Sequence, residues 1–213
     1  MWVASNSPQN VRGLIIEDAP IFSTEPGFRE NTIAWLGFKD IYEFLNQDEI
    51  TNFTLYSLKY DYMQTLFNDG WNSLVYEPAK KQMEGKPGVI PRLWYMPVGL
   101  NRYLDITRNL QDGTGEYDLR FGVTFYYGTW FKNFDQREAL EKIQCPTVLL
   151  HTTVEIDKNG ILLGAMTDEN AIEAASLLAD NVFIDQIDSG HDIHYEKPQI
   201  VIDAINSIIP RLQ

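Results

Sequence analysis

The chain's 213 residues are 44% hydrophobic and 13% aromatic, enough apolar material for a sizeable core, which excludes disorder as its basic state. A formal net charge of −13 argues against nucleic acid and anionic membrane surfaces as partners. The single cysteine, Cys145, excludes an internal disulfide, and no signal peptide or apolar run of membrane-spanning length is present, so a reducing cytoplasm is the expected compartment.

Residues 1–8 read as the end of a helix stopped between Asn6 and Pro8. Val11 to Asp18 is rich in branched apolar residues and reads as a strand, closed by a turn at Ala19-Pro20. Asn31 to Leu45 and Asn52 to Phe67 carry apolar residues at helical spacing, among them Leu55, Leu58, Tyr62 and Leu66. Pro78, Gly85, Pro87-Gly88, Pro91 and Pro97 mark irregular connections, and Tyr103 to Leu110 is a further short helix. Aromatic residues are dense from Trp71 to Phe131. Core packing is their plain reading. A second reading sets some of them against an apolar substrate, foremost Phe125, Tyr126, Trp130 and Phe131, where glycines allow close backbone approach.

Asp135 to Ile143 reads as a helix capped by Asp135 and broken at Gln144-Cys145-Pro146, with Cys145 as a buried small hydrophobe. Thr147 to Thr153 reads as a buried parallel strand. Glu169 to Leu178 is a helix with Asp168 as its cap and Thr167 as the rival. Val182 to Ile187 is another buried strand, and Gln199 to Leu212 the last helix.

Between those last two elements lies Gly190-His191-Asp192-Ile193-His194-Tyr195-Glu196-Lys197-Pro198. A histidine on a loop straight after a strand suits a general base. Ligands of open parallel sheets sit beyond the carboxyl ends of the strands, so loops 152–168 and 188–194 are expected side by side. The carboxylates available to His191 there are Asp157, Asp168 and Glu155, ranked in that order. His191 and His194 lack a convincing third ligand, so no metal site is expected. His194 is expected to pack at the helix entrance, and His151 to be partly buried and hydrogen-bonded near the site.

The nonapeptide at 190–198 resembles the histidine loop of the α/β-hydrolase superfamily, with support at Cys145–Leu150 and Val11–Pro20. The resemblance covers residues 1–23 and 135–213. It implies an α/β fold of three mostly parallel strands with flanking helices. Residues 1–23 and 131–213 would form the C-terminal part of a hydrolase core, and 24–130 a mostly helical cap. It also implies a Ser-His-Asp triad in which His191 is the base and Asp157 or a rival the acid. The chemistry would be hydrolysis of a small-molecule ester, amide or related bond, with no cofactor. The family's Gly-x-Ser-x-Gly elbow is not in the chain: Gly160 to Gly164 has leucine at its centre, and Gly113-Thr114-Gly115 lacks the spacing. In the family that elbow precedes the strand resembled by residues 11–18. The chain is therefore expected to be an inactive C-terminal fragment, completed by the missing N-terminal half or by a second copy through the edge of strand 11–18. The alternative is a non-catalytic remnant or a binding module for an apolar ligand or a protein.

Overall fold

Three short apolar runs form one parallel sheet: β1 (Leu14–Glu17), β2 (Thr147–Thr152) and β3 (Asn181–Ile187), in the order β1-β2-β3. The computed structural model describes residues 1–67, 70–86, 89–96, 100, 104 and 118–212. These divide into two units, Met1–Ala34 with Phe131–Gln213, and Trp35–Trp130.

In the first unit every residue of the central strand β2 is buried, the polar Thr147, His151 and Thr152 as well as the apolar centre Val148-Leu149-Leu150. Successive side chains point to opposite faces. Leu149 joins Ile16 on one face, covered by α1 (Trp2–Asn6), α2 (Gln136–Glu141) and α3 (Asp168–Leu177) through Ala4, Leu140, Ala171 and Ala174. Val148 and Leu150 join Ile187 on the other face, covered by α4 (Pro198–Ile208) through Ala204 and Ile208. The architecture is α/β, parallel strands with flanking helices.

Two irregularities lie at the carboxyl ends of the strands. Leu150 pairs with Ile184, but Thr152 pairs with Ile187, so β3 carries one extra residue there; Gln186 takes φ 56° within that stretch. β1 hydrogen-bonds one step further through Asp18 N to Leu150 O at 2.9 Å, and Asp18 itself takes φ 36°. The helix caps decide one open choice. Thr167 Oγ1 accepts from Asn170 N at 3.2 Å, so Thr167 caps α3, and Asp168 is its first helical residue. The Asp168 carboxylate is thereby released for another partner. Asp135 caps α2 as expected, accepting from Glu138 N at 2.9 Å. Cys145 is free and half-buried rather than fully buried.

The second unit is helical. Ile33–Leu45 begins just before its boundary, and Phe53–Tyr60, Glu77–Met83 and Leu119–Tyr127 lie within it. The single helix expected over 52–67 breaks at Asp61, whose carboxylate accepts from Met63 N at 2.7 Å and restarts the chain as a 3₁₀ turn, Tyr62–Leu66. Before Pro78 the chain widens into a π-helical turn, Asn72–Tyr76. Proline has no N–H, and its ring would strike the carbonyl four residues back in a regular helix. Leu58, Trp71, Val75, Ala79, Leu93 and Leu104 form one core, in which Trp71 Nε1 donates to Leu58 O at 2.7 Å. The helix expected at Tyr103–Leu110 lies outside the described residues except for Leu104. Phe121 to Tyr127 is helical, and Gly128, at φ 69°, supplies the left-handed cap that ends it. Among the described residues no helix is long and apolar enough to cross a membrane.

Candidate active site

The last residues of β1 hold the histidine loop. The His191 ring lies with Nδ1 3.0 Å from Asp18 Oδ2, and Asp18 is 1% exposed. A carboxylate can only accept, so Nδ1 carries the proton and the other ring nitrogen is left with a lone pair when the ring is neutral. The His191 side chain is 64% exposed. The neighbouring Glu17 grips His194 twice, its Oε1 accepting from the backbone N at 2.7 Å and from Nδ1 at 2.8 Å. Two consecutive acids thus fix two histidines three residues apart. The loop is closed by Glu196, which accepts from Gly190 N at 2.9 Å. A Cβ at residue 190 would stand 2.8 Å from Glu196 Oε1, so a larger residue there would have to move the Glu196 carboxylate aside.

Asp18 is also the acceptor for Thr152 N at 3.3 Å. On its far side stands His151, fully buried, with Nδ1 3.5 Å from Asp18 Oδ1 and Nε2 3.1 Å from Asp168 Oδ1. Burial alone would push the Asp18 carboxyl up. His151, His191 and the Thr152 N–H outweigh it and hold the group at about 2. The Asp18 hydrogen bond raises the His191 pKa against the pull of its partial burial, with Asp192 and Glu17 adding to the rise. Burial pulls the His151 pKa down, but Asp18 and Asp168 outweigh it and raise it.

The expected site residues fall in different places. Asp157 turns onto its own loop, accepting from Asn159 N at 2.8 Å and Ile161 N at 2.9 Å, an arrangement that shapes the turn before Gly160. Glu155 is exposed. Asp168 meets His151, not His191. The acid at His191 is Asp18, at the end of the first strand. The signal for it was present: three parallel strands in one sheet bring all three carboxyl ends to one edge, and Glu17-Asp18 closes the first. His151 is buried more deeply than its position at a strand end suggested, and His194 is pinned to Glu17 rather than packed.

Of the four aromatics, Phe125 stacks on Phe38 at 4.6 Å and lies 4.9 Å from Trp130, and Tyr126 stacks on Tyr42 at 4.6 Å. Trp130 is 43% exposed, and Phe131 is half-buried. A groove of about 740 Å³ in the second unit is lined by Leu55, Pro78 and Met83 among others; another, of about 420 Å³, runs along Leu14, Ile15, Ile205 and Ile209. Neither is lined by His191 or by these four aromatics. His151, Asp168 and Asp185 place one possible metal-ligand atom each within 4.8 Å of one another, the nearest approach to a metal-ligand set among the described residues.

No protein-family model matches the chain, and no curated protein matches it. Among solved structures the chain is similar to MenH from S. aureus, at 17% identity and a TM-score of 0.47, covering 100% of this chain and 64% of that one. It is also similar to VinJ, at 18% identity and a TM-score of 0.38, covering 97% of this chain and 61% of that one. Both are α/β-hydrolase-fold proteins, and the chain spans less than two thirds of the length of either. With three parallel strands in the order β1-β2-β3 and helices on both faces, the first unit has an α/β fold.

Proposed function

We propose that the first unit is the histidine–carboxylate portion of a serine hydrolase acting on a small-molecule ester, amide or related bond. His191 is the general base, and Asp18 orients it. A serine from a segment outside these 213 residues attacks the substrate carbonyl and passes its proton to the exposed nitrogen of His191. The imidazolium, stabilised by Asp18, then protonates the leaving group. The observation that carries this reading is the 3.0 Å contact between Asp18 Oδ2 and His191 Nδ1 at the carboxyl end of a parallel sheet. Phe125, Tyr126, Trp130 and Phe131 are proposed substrate-side aromatics, supported by the partial exposure of Trp130 and by the apolar stack behind it. Asp157 and Asp168 have other partners, which favours Asp18 as the triad acid.

The sequence contains no Gly-x-Ser-x-Gly elbow, so the recombinant chain is expected to show no saturable p-nitrophenyl ester turnover. Turnover that disappears in His191→Ala would overturn the external nucleophile. The same protein recovered from its native cells and treated with a fluorophosphonate probe should carry a labelled companion polypeptide. Recovery of the chain with no labelled serine in any associated protein would favour the non-catalytic binding module instead.

The open side of β1 is the proposed docking place for that segment. Among the described residues β1 pairs only with β2, and the groove along Leu14, Ile15, Ile205 and Ile209 runs beside it. An unpaired apolar edge is a template for another strand. The purified chain is therefore expected to form a twofold dimer through β1. Light scattering across a concentration series checks this, and a monomer at high concentration would rule it out.

A further inference from the structure

The mechanism above uses His191 and Asp18 and leaves His151 without a task. Yet His151 is a fully buried imidazole whose two ring nitrogens both face carboxylate oxygens, Asp18 at 3.5 Å and Asp168 at 3.1 Å. A neutral imidazole has one N–H and one lone pair. The tautomer protonated on Nε2 satisfies Asp168 but leaves Nδ1, which makes no hydrogen bond, as a lone pair 3.5 Å from Asp18 Oδ1; the other tautomer turns a lone pair on Asp168 at 3.1 Å. The doubly protonated ring is the form that fits both neighbours. A third carboxylate, Asp185 from β3, lies within 4.8 Å of the ring nitrogen and of Asp168. The acids come from three elements: Asp18 from the end of β1, Asp168 from the start of α3 and Asp185 from β3.

We infer that His151 is a positioning residue for the His191–Asp18 pair: a buried imidazolium that shares the Asp18 carboxylate with His191 and thereby sets how tightly His191 holds its proton. This rests on the reading of His191 as the base. Asp18 divides its oxygens, Oδ2 to His191 and Oδ1 to Thr152 N, with His151 Nδ1 3.5 Å from Oδ1. In the Asp18–His191 pair the negative charge of the carboxylate raises the proton affinity of the imidazole. The cation behind Asp18 offsets part of that charge. Asp168, on the far side, keeps the cation in place. The backbone around the group is held in uncommon conformations, Asp18 at φ 36° and Gln186 at φ 56°, the kind of local cost that the surrounding structure sustains at working sites.

The test is a histidine NMR titration of the recombinant chain, which needs no turnover. Nitrogen-15 shifts should show His151 protonated on both nitrogens at pH 7. In His151→Gln the His191 pKa should rise by about one pH unit, a roughly tenfold gain in proton affinity. Asp168→Asn leaves the buried ring in place but removes one of its counter-charges. It should lower the His151 pKa, and above that lowered pKa, where the buried ring has become neutral, His191 should hold its proton more tightly, as in His151→Gln. His194, held by Glu17, serves as the internal control and should not move. A merely structural His151 would leave His191 unchanged or shift both loop histidines together. A neutral His151 at pH 7, a His191 pKa unmoved in both variants, or coordination of added zinc by the His151 ring would overturn the inference. Because the readout is a proton affinity, esterase inactivity or the lack of a labelled partner would strike the hydrolase reading without touching this one.

Discussion

Asp18→Asn is expected to destabilise the first unit by about 3 kcal/mol at pH 7, the cost of removing one member of a buried charged group. The buried imidazolium of His151 would keep only Asp168, half in solvent, as its close partner, and the Thr152 N–H would keep a weaker acceptor. The pH dependence follows from the sign of the shift. Asp18 titrates at about 2, below its unfolded value, so its stabilisation is present above pH 4 and is lost as the pH falls toward 2. That difference amounts to about 2 kcal/mol. The variant should lack this part of the acid limb. Hydrogen exchange of the amides in β2, the most buried strand, reads the first unit without interference from the second. A loss below 0.5 kcal/mol, with an acid limb like that of the unchanged protein, would mean that Asp18 is not the electrostatic centre of the site.

The sheet was legible because each strand carries a short run of branched apolar residues between turn residues, although only β2 is buried along its whole length and β3, expected to be buried, is largely half-buried or exposed. Val11–Asp18, Thr147–Thr153 and Val182–Ile187 lie over β1, β2 and β3 to within a few residues at each end. The break at Asp61 was not legible, because Leu55, Leu58, Tyr62 and Leu66 keep a helical period straight through it. It is the side chain of Asp61, competing with the helix for Met63 N, that stops the first segment. The cap of α3 was a near tie between two adjacent residues that both suit the role, decided by the reach of Thr167 to Asn170 N.

The site was half legible. His191 follows a strand on a glycine-led loop, and that pattern is local. Its carboxylate is 173 residues away in sequence, so no spacing rule reaches it. Only the topology does, through the third strand end that the sequence reading left out of account. The same long-range placement explains His151. Its strand position predicts burial, but the two acids that charge it come from α3 and β1. Glu17 and Asp18 look like an ordinary polar strand end, and it is a loop from the other end of the chain that sets a histidine against each of them.

Asp40→Asn is expected to stabilise the second unit at alkaline pH and to do little under acid conditions. Asp40 lies on the helix Ile33–Leu45 and is 8% exposed, and its Oδ2 has no hydrogen-bond partner among the described residues. Burial, with the negative charges of Asp61 and Glu43 and against that of Lys39, pushes its pKa up to about 8. Between about pH 4 and pH 8 the folded chain therefore keeps a proton that the unfolded chain has lost, so stability falls as the pH rises and levels off above 8. The penalty at pH 8 is on the order of 5 kcal/mol. Asparagine keeps the shape and cannot ionise, so the variant's stability should be nearly flat over that window. Trp35, Trp71, Trp94 and Trp130, four of the five tryptophans, lie in this unit, so fluorescence-detected urea unfolding at pH 5 and pH 8.5 reports on it. Equal losses between the two pH values in both proteins would show that Asp40 ionises freely in the folded state, and that the helix around it opens to water more readily than its packing against Phe53 and Leu119 through Ile41 suggests.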